Sequence, residues 1–475
     1  MTSSYCHRHN FKSNYNAVFH CGIVLLLMVI TSFLVDLSSS ILVLSSFILG
    51  YTCLLFKRNT SNRNRTSIVY CVLFEAGWLY MLMCYGFMVS KNFDWLLSFD
   101  SYDVIVPQTL EYISQGHGNI LNVYEIIFTN FDILSRNEYF YWIYTCTWGI
   151  VSQHIGASLY LGLQTSTLLL YSFCGVFLYK LFLNYNFSEE KSFKHTIVIL
   201  ITSIIFFYSS QILRDIHVLL LYLIAFYLSS KQYFSVRIII LLSLIVLVTC
   251  GIRVESGLFL SLIIPIYLLS VLHNLKSKVY VLIFSVVFLG VVVFVLVSNY
   301  DTLQSIYYNN NEYYMAGVTE GTGVIGFLQR IPVVGPILSV FYNASLPLPV
   351  WARLFPDETF GSYTGNILNF TRISAVIFNI YTYVCIITYL LMGSLRSRIK
   401  VKIPIHLQYQ IIVGCAFLLL QSSVISQRRL MSYYCVFYIL MYFIHDQLDK
   451  EDKKTTGIIF LLTLLSLHIV ALIYK

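Results

Sequence analysis

VYVLIFSVVFLGVVVFVLVS, residues 279–298, carries no Asp, Glu, Lys, Arg or His. At a rise of about 1.5 Å per residue, a helix of that length crosses a hydrocarbon layer about 30 Å thick. Its apolar residues are continuous and do not alternate, which excludes a β-barrel strand. Comparable runs lie at about 18–35, 41–56, 67–88, 158–179, 195–209, 216–230, 236–252, 256–272, 373–392, 405–421, 430–445 and 456–473. About thirteen spans, within a range of about 12–14, make this an all-α polytopic membrane protein, expected to form a single transmembrane domain over 1–475. Composition agrees: of 475 residues 58% are hydrophobic and only 11% are charged, whereas a soluble chain has about 25% charged residues to cover its surface.

The net charge of +8 does not point to nucleic acid, because the basic residues are scattered through short loops and form no patch on a soluble face. The cysteines sit mostly inside apolar runs, as at Cys71, Cys84, Cys174 and Cys435, where they read as small core residues. No disulfide framework and no CxxC pattern is expected. The first apolar run is longer than a signal-peptide core, lacks an A-x-A site and is followed almost at once by a second, so it reads as a span.

With the N-terminus placed in the cytoplasm, roughly two-thirds of the 30 lysines and arginines fall on the inner side, the bias that orients short loops. Two long segments then face outward, 89–157 and 299–372, and they hold most of the acids, Glu138 among them. Loops of that length inside a compact chain are usually functional. The threading requires Tyr139–Ser152 to lie on, or dip into, the outer leaflet. No Walker loop or strand-linked GxGxxG occurs, and Asp100-x-x-Asp103 has no histidine at ligand spacing, so neither a cofactor nor a metal is expected.

The chemically informative residues are ionisable groups in short outward turns: Arg214 and Asp215 in QILRDIH, Arg253 and Glu255 in GIRVESG, Arg428 and Arg429 in SQRRLMS. A charge at bilayer depth costs about 2.5–3.5 kcal/mol on insertion scales. Three such turns on one side suggest a convergent cluster, and arginine binds phosphate in a planar fork. Arg214, Arg253 and Arg428 or Arg429 are therefore candidates for a pyrophosphate clamp. The plainer reading pairs Arg214 with Asp215 and Arg253 with Glu255 as neutralised neighbours. Glu75, a lone acid in the third span, suits proton handling or helix packing equally. His154 and His217 are candidate bases, although a hydrogen-bonded structural histidine is the commoner outcome.

FDSYDVIVP (Phe99–Pro107), NEYFYWIYTCTWGI (Asn137–Ile150), the S-x-x-x-R turn at Ser210–Asp215, the Lys231-Gln-Tyr helix end and the turn at Arg253 together resemble the Wzy-type and EpsG-like polymerases of oligosaccharide repeat units. The family's usual histidine in the last turn has no counterpart near Arg253–Glu255. The resemblance implies metal-independent glycosyl transfer at the outer face of a bacterial inner membrane, on a GT-C-like fold. Glycan would move from undecaprenyl pyrophosphate to the terminal sugar of a new lipid-linked repeat. A chain-length regulator and a flippase are the implied partners, beside membrane lipid. Arginines suit a developing pyrophosphate charge, and Asp215, Glu255, Asp100 or Asp103 are candidates for the base that activates the acceptor hydroxyl. The alternatives are a GT-C-type glycosyltransferase using a lipid-phosphate sugar, with its base at Asp100 or Asp103, and a flippase for the same lipid-linked sugars.

Overall fold

The computed structural model describes residues 3–55, 63–90, 104–129, 138–231, 233–274, 340–341, 370–391, 403–420 and 427–473. The 279–298 run, Asp100, Asp103 and almost all of 299–372 lie outside them. Among the described residues all regular structure is helical. The helices are α1 (Ser3–Leu34), α2 (Leu37–Leu55), α3 (Arg63–Ser90), α4 (Val106–Gln115), α5 (Ile120–Thr129), α6 (Tyr139–His154), α7 (Leu159–Asn184), α8 (Glu189–Thr202) and α9 (Ile204–Tyr208). They continue as α10 (Asp215–Ser229), α11 (Val236–Ile252), α12 (Val254–Ser261), α13 (Ile263–Asn274), α14 (Phe370–Leu391), α15 (Ile405–Leu420), α16 (Gln427–His445) and α17 (Lys450–Ile473). Among the described residues six segments are long and apolar enough to cross a membrane: Leu37–Leu55, Arg65–Ser90, Leu159–Asn184, Val254–His273, Phe370–Leu391 and Lys450–Val470. Other expected spans are present as shorter apolar helices, among them Val18–Leu34, Asp215–Ser229 and Leu430–His445. The run expected at 195–209 is interrupted, because α8 ends at Thr202 and a short α9 follows.

Contacts divide the chain into two compact units, the first holding α1–α9, the start of α10 and Val248–Gly257, the second most of the remainder. In the first, α7 is the central helix, buried on nearly every side against α3, α2, α6 and α8. It tolerates Thr165, Ser166, Thr167 and Ser172 in that position because each hydroxyl bonds a carbonyl of its own helix three or four residues back, at 2.7–3.5 Å. Lipid is as apolar as leucine, so packing and interhelical hydrogen bonds hold such a bundle together. Trp78 donates to Thr31 Oγ1 (3.0 Å) and Tyr171 to the Leu200 carbonyl (3.0 Å), each worth roughly 0.6–2 kcal/mol.

Two contacts identify which helix ends lie together. The α1–α2 turn, capped by Asp36, meets the α6–α7 turn where the Ser158 N–H donates to Ser39 Oγ at 2.9 Å. At the far end of α7, Arg65 pairs with Glu189 at 3.2 Å, joining the starts of α3 and α8. Helix α6 stays near the first of these ends. Ser152 packs on Gly162, and the Tyr144 hydroxyl donates to the Ser166 carbonyl. Eight residues of α6 thus advance only four along α7, so α6 lies obliquely over the first two turns of α7.

In the second unit, α14 packs Val376, Ile380 and Val384 against Ile459, Phe460, Leu464 and Leu467 of α17. Tyr438 of α16 donates to Asn379 Oδ1 at 2.6 Å.

Candidate functional site

Two helix interruptions in the first unit build the site. After α9 the chain runs unwound through Ser209–Arg214 before α10 begins at Asp215. Non-helical backbone among apolar spans persists only where its polar groups find partners. Gln164 of α7 donates from Nε2 to the Ser210 carbonyl (2.6 Å), and the Tyr141 hydroxyl of α6 to the Ile212 carbonyl (3.3 Å). The second interruption is a sharp kink at Arg253, between α11 and α12. Backbone bonds run from Arg253 N to Thr249 O (2.8 Å) and from Gly257 N to Arg253 O (3.0 Å), but the chain folds back so tightly that a Cβ on Gly257 would sit 2.6 Å from the Cys250 nitrogen. Tyr222 of α10 donates to the Ser256 carbonyl beyond the kink at 2.6 Å. Glycine at 251 makes the approach possible, since a Cβ there would sit 2.1 Å from the Phe140 ring of α6.

The charges on these segments do not pair with their sequence neighbours. Arg253 Nη2 meets Asp215 Oδ1 at 2.8 Å across the two interruptions, and the two side chains are only 8% and 1% exposed. Arg214 instead pairs with Glu138, the residue that opens α6, and these two are 27% and 23% exposed. The neighbour pairing considered from sequence is thus replaced by a crossed set that ties α10 to the α11–α12 kink and to the start of α6. One pair is sealed and the other open. Glu255 is half-buried and makes no ion pair among the described residues. Arg253 keeps its Nε buried with no hydrogen-bond partner among them.

His217 lies one turn into α10, buried, with its ring edge-on to Tyr141 (5.3 Å between centroids) and Tyr144 (4.8 Å). Those tyrosines are three residues apart and so share one face of α6. Neither imidazole nitrogen has a hydrogen-bond partner in good geometry among the described residues, although the Leu213 backbone and the Asp215 carboxylate lie within electrostatic reach. Buried polar atoms are almost always bonded, and exceptions ask for a reason. His217 therefore departs from the structural-histidine expectation. His154 follows it: exposed at the end of α6, it uses Nδ1 on its own Ile150 carbonyl at 2.9 Å, and it borders an open cleft of about 510 Å³ with His117 and Asn119.

The remaining candidates stand apart. Glu75 is paired with His20 Nδ1 at 2.8 and 2.9 Å, joining α1 to α3. Arg428 and Arg429 lie in the first turn of α16 in the second unit, and their side chains are outside the described residues, as are Asp100 and Asp103 altogether. Among the described residues no group of three or more His, Cys, Asp or Glu is placed to hold a metal ion. Sequence reasoning grouped Glu138 only with the first-loop acids and overlooked Tyr141 and Tyr144 as site residues. The signal was present, an acid directly before a helix whose tyrosines recur at i and i+3. Comparison with protein-family profiles, with curated proteins and with solved structures found no match.

Proposed function

We propose that this chain polymerises lipid-linked oligosaccharide repeat units at the outer face of a bacterial inner membrane, with the Arg214–Asp215–His217–Arg253 cluster as its reaction centre. The observation that carries the reading is the gathering of two arginines, an acid and a buried imidazole without a well-placed hydrogen-bond partner among the described residues at two adjoining helix interruptions. Buried ionisable groups among apolar spans are costly and usually functional. In the proposed step the acceptor sugar hydroxyl attacks the anomeric carbon of the glycan on undecaprenyl pyrophosphate. The new glycosidic C–O bond forms, the bond from that carbon to the pyrophosphate oxygen breaks, and pyrophosphate leaves with the electron pair. Arg214, partly open, and Arg253, buried on Asp215, supply fixed positive charge for that leaving group. His217 accepts the hydroxyl proton, since Asp215 is already committed to Arg253.

A second reading, a flippase for the same lipid-linked sugars, gains support from the discontinuous helices α8–α9 and α11–α12, because transporters build substrate sites at such breaks. One experiment separates the two. In a deletion strain complemented with Arg214→Ala or His217→Ala, a polymerase defect leaves a single capped repeat on the lipid A core, seen on a gel of envelope polysaccharide. A flippase defect leaves none. Long chains from both variants would overturn the polymerase reading.

A further inference from the structure

The open ion pair points to a role for Glu138. Glu138 holds the N-cap position of α6, yet its carboxylate makes no cap bond to the helix. It is turned instead onto Arg214, in a pair about a quarter exposed on each side, whereas Arg253–Asp215 is sealed. We propose that Glu138 is a displaceable stand-in for the anionic substrate: it occupies the Arg214 guanidinium when the site is empty and yields it to an incoming pyrophosphate group. The inference rests on the anion-binding reading above and adds to it a gate on the same arginine.

Three physical points support the exchange. A carboxylate and a phosphate oxygen compete for the same guanidinium fork, and the doubly charged group wins at close range. A partly exposed pair is weak enough to break, unlike a buried one, whose rupture strands a charge. The displaced carboxylate also has somewhere to go. As the N-cap residue, Glu138 stands beside the first-turn N–H groups of α6, where a negative charge is favoured by the helix dipole. Without a substrate, the same pair would disfavour chloride or other weak anions at Arg214, so Glu138 sets selectivity as well as occupancy.

The test is titration of the detergent-solubilised full chain with inorganic pyrophosphate, then with farnesyl pyrophosphate, by calorimetry. Removing a competitor worth up to about 1 kcal/mol should make Glu138→Gln bind roughly three- to sixfold tighter than wild type. Arg214→Ala in the same background should erase that gain. If wild type binds and Glu138→Gln is equal or weaker, the stand-in role falls while the anion site stands. If neither protein binds at millimolar ligand, the anion site falls and the stand-in with it. A gain that survives Arg214→Ala, or one seen with inorganic pyrophosphate but lost with the lipid-borne form, also overturns it. Glu138→Lys, should the glutamine variant fail to insert, must likewise tighten binding.

Discussion

Arg253→Met is the perturbation whose cost can be worked most directly from the geometry. Arg253 and Asp215 approach to 2.8 Å with 8% and 1% of their side chains exposed, so removing the guanidinium strips a buried carboxylate of this cation, a loss of about 3–5 kcal/mol. That is a fall of about two to four powers of ten in the folded-to-unfolded ratio. For contrast, Arg65–Glu189, with side chains 45% and 41% exposed, belongs to the class worth about 0–1 kcal/mol. The assay is a double-mutant cycle, unfolding the purified protein in mixed micelles with increasing SDS and following tryptophan fluorescence. Arg253→Met and Asp215→Leu should each destabilise strongly, while the double variant returns to within about 1–2 kcal/mol of wild type, because no charge remains to be stranded. Polymer should stay absent in the double variant, separating fold from function. If either single variant costs under about 1 kcal/mol, or the two losses simply add, the pair is not the buried tie that the distances describe.

Two further outcomes follow from the same site. His217→Phe keeps the edge-on contact with Tyr141 and Tyr144 while deleting two buried nitrogens without hydrogen-bond partners among the described residues; stability should hold or rise by up to about 1 kcal/mol, whereas repeat polymerisation should collapse on the polysaccharide gel. A variant that loses stability and activity together would make the imidazole structural. Gly251→Ala drives a methyl into the Phe140 ring and should cost about 1–3 kcal/mol in the micelle unfolding assay, with Phe140→Leu restoring most of it; no loss, or no rescue, would deny the close approach of α11 to α6.

Hydropathy made the fold class legible because lipid imposes one rule on every span: twenty or so apolar residues with their backbone bonds closed inside the helix. The same rule hid the break at Ser203, which sits in a run, 195–209, apolar enough to read as one span. The 210–214 stretch was legible as a turn, but the donors that satisfy its carbonyls, Gln164 and Tyr141, lie far away in the chain. Arg214, Asp215 and Arg253 were visible as charges out of place, since scarcity makes each one conspicuous. Their partners were not, because neighbour pairing is the only pairing a linear reading can see. Asp215 and Glu138 reach their arginines through the crossing of α10 with α11 and α6. His217 was named as a candidate base, but its lack of well-placed hydrogen-bond partners among the described residues belongs to three-dimensional surroundings that no motif encodes.

The self-contained hydroxyls of α7 bear on how the protein is made. A helix that ends up enclosed on nearly all sides must first enter the membrane with half its neighbours not yet synthesised. Thr165, Ser166, Thr167 and Ser172 ask nothing of those neighbours, since each is satisfied within the helix as soon as it coils. Gln164 is different: the carbonyl its amide binds, on Ser210, emerges from the ribosome 46 residues later. Until then α7 carries one open amide in the bilayer, so the arrival of the Ser209–Arg214 segment gives that amide its acceptor and ties the central helix in place.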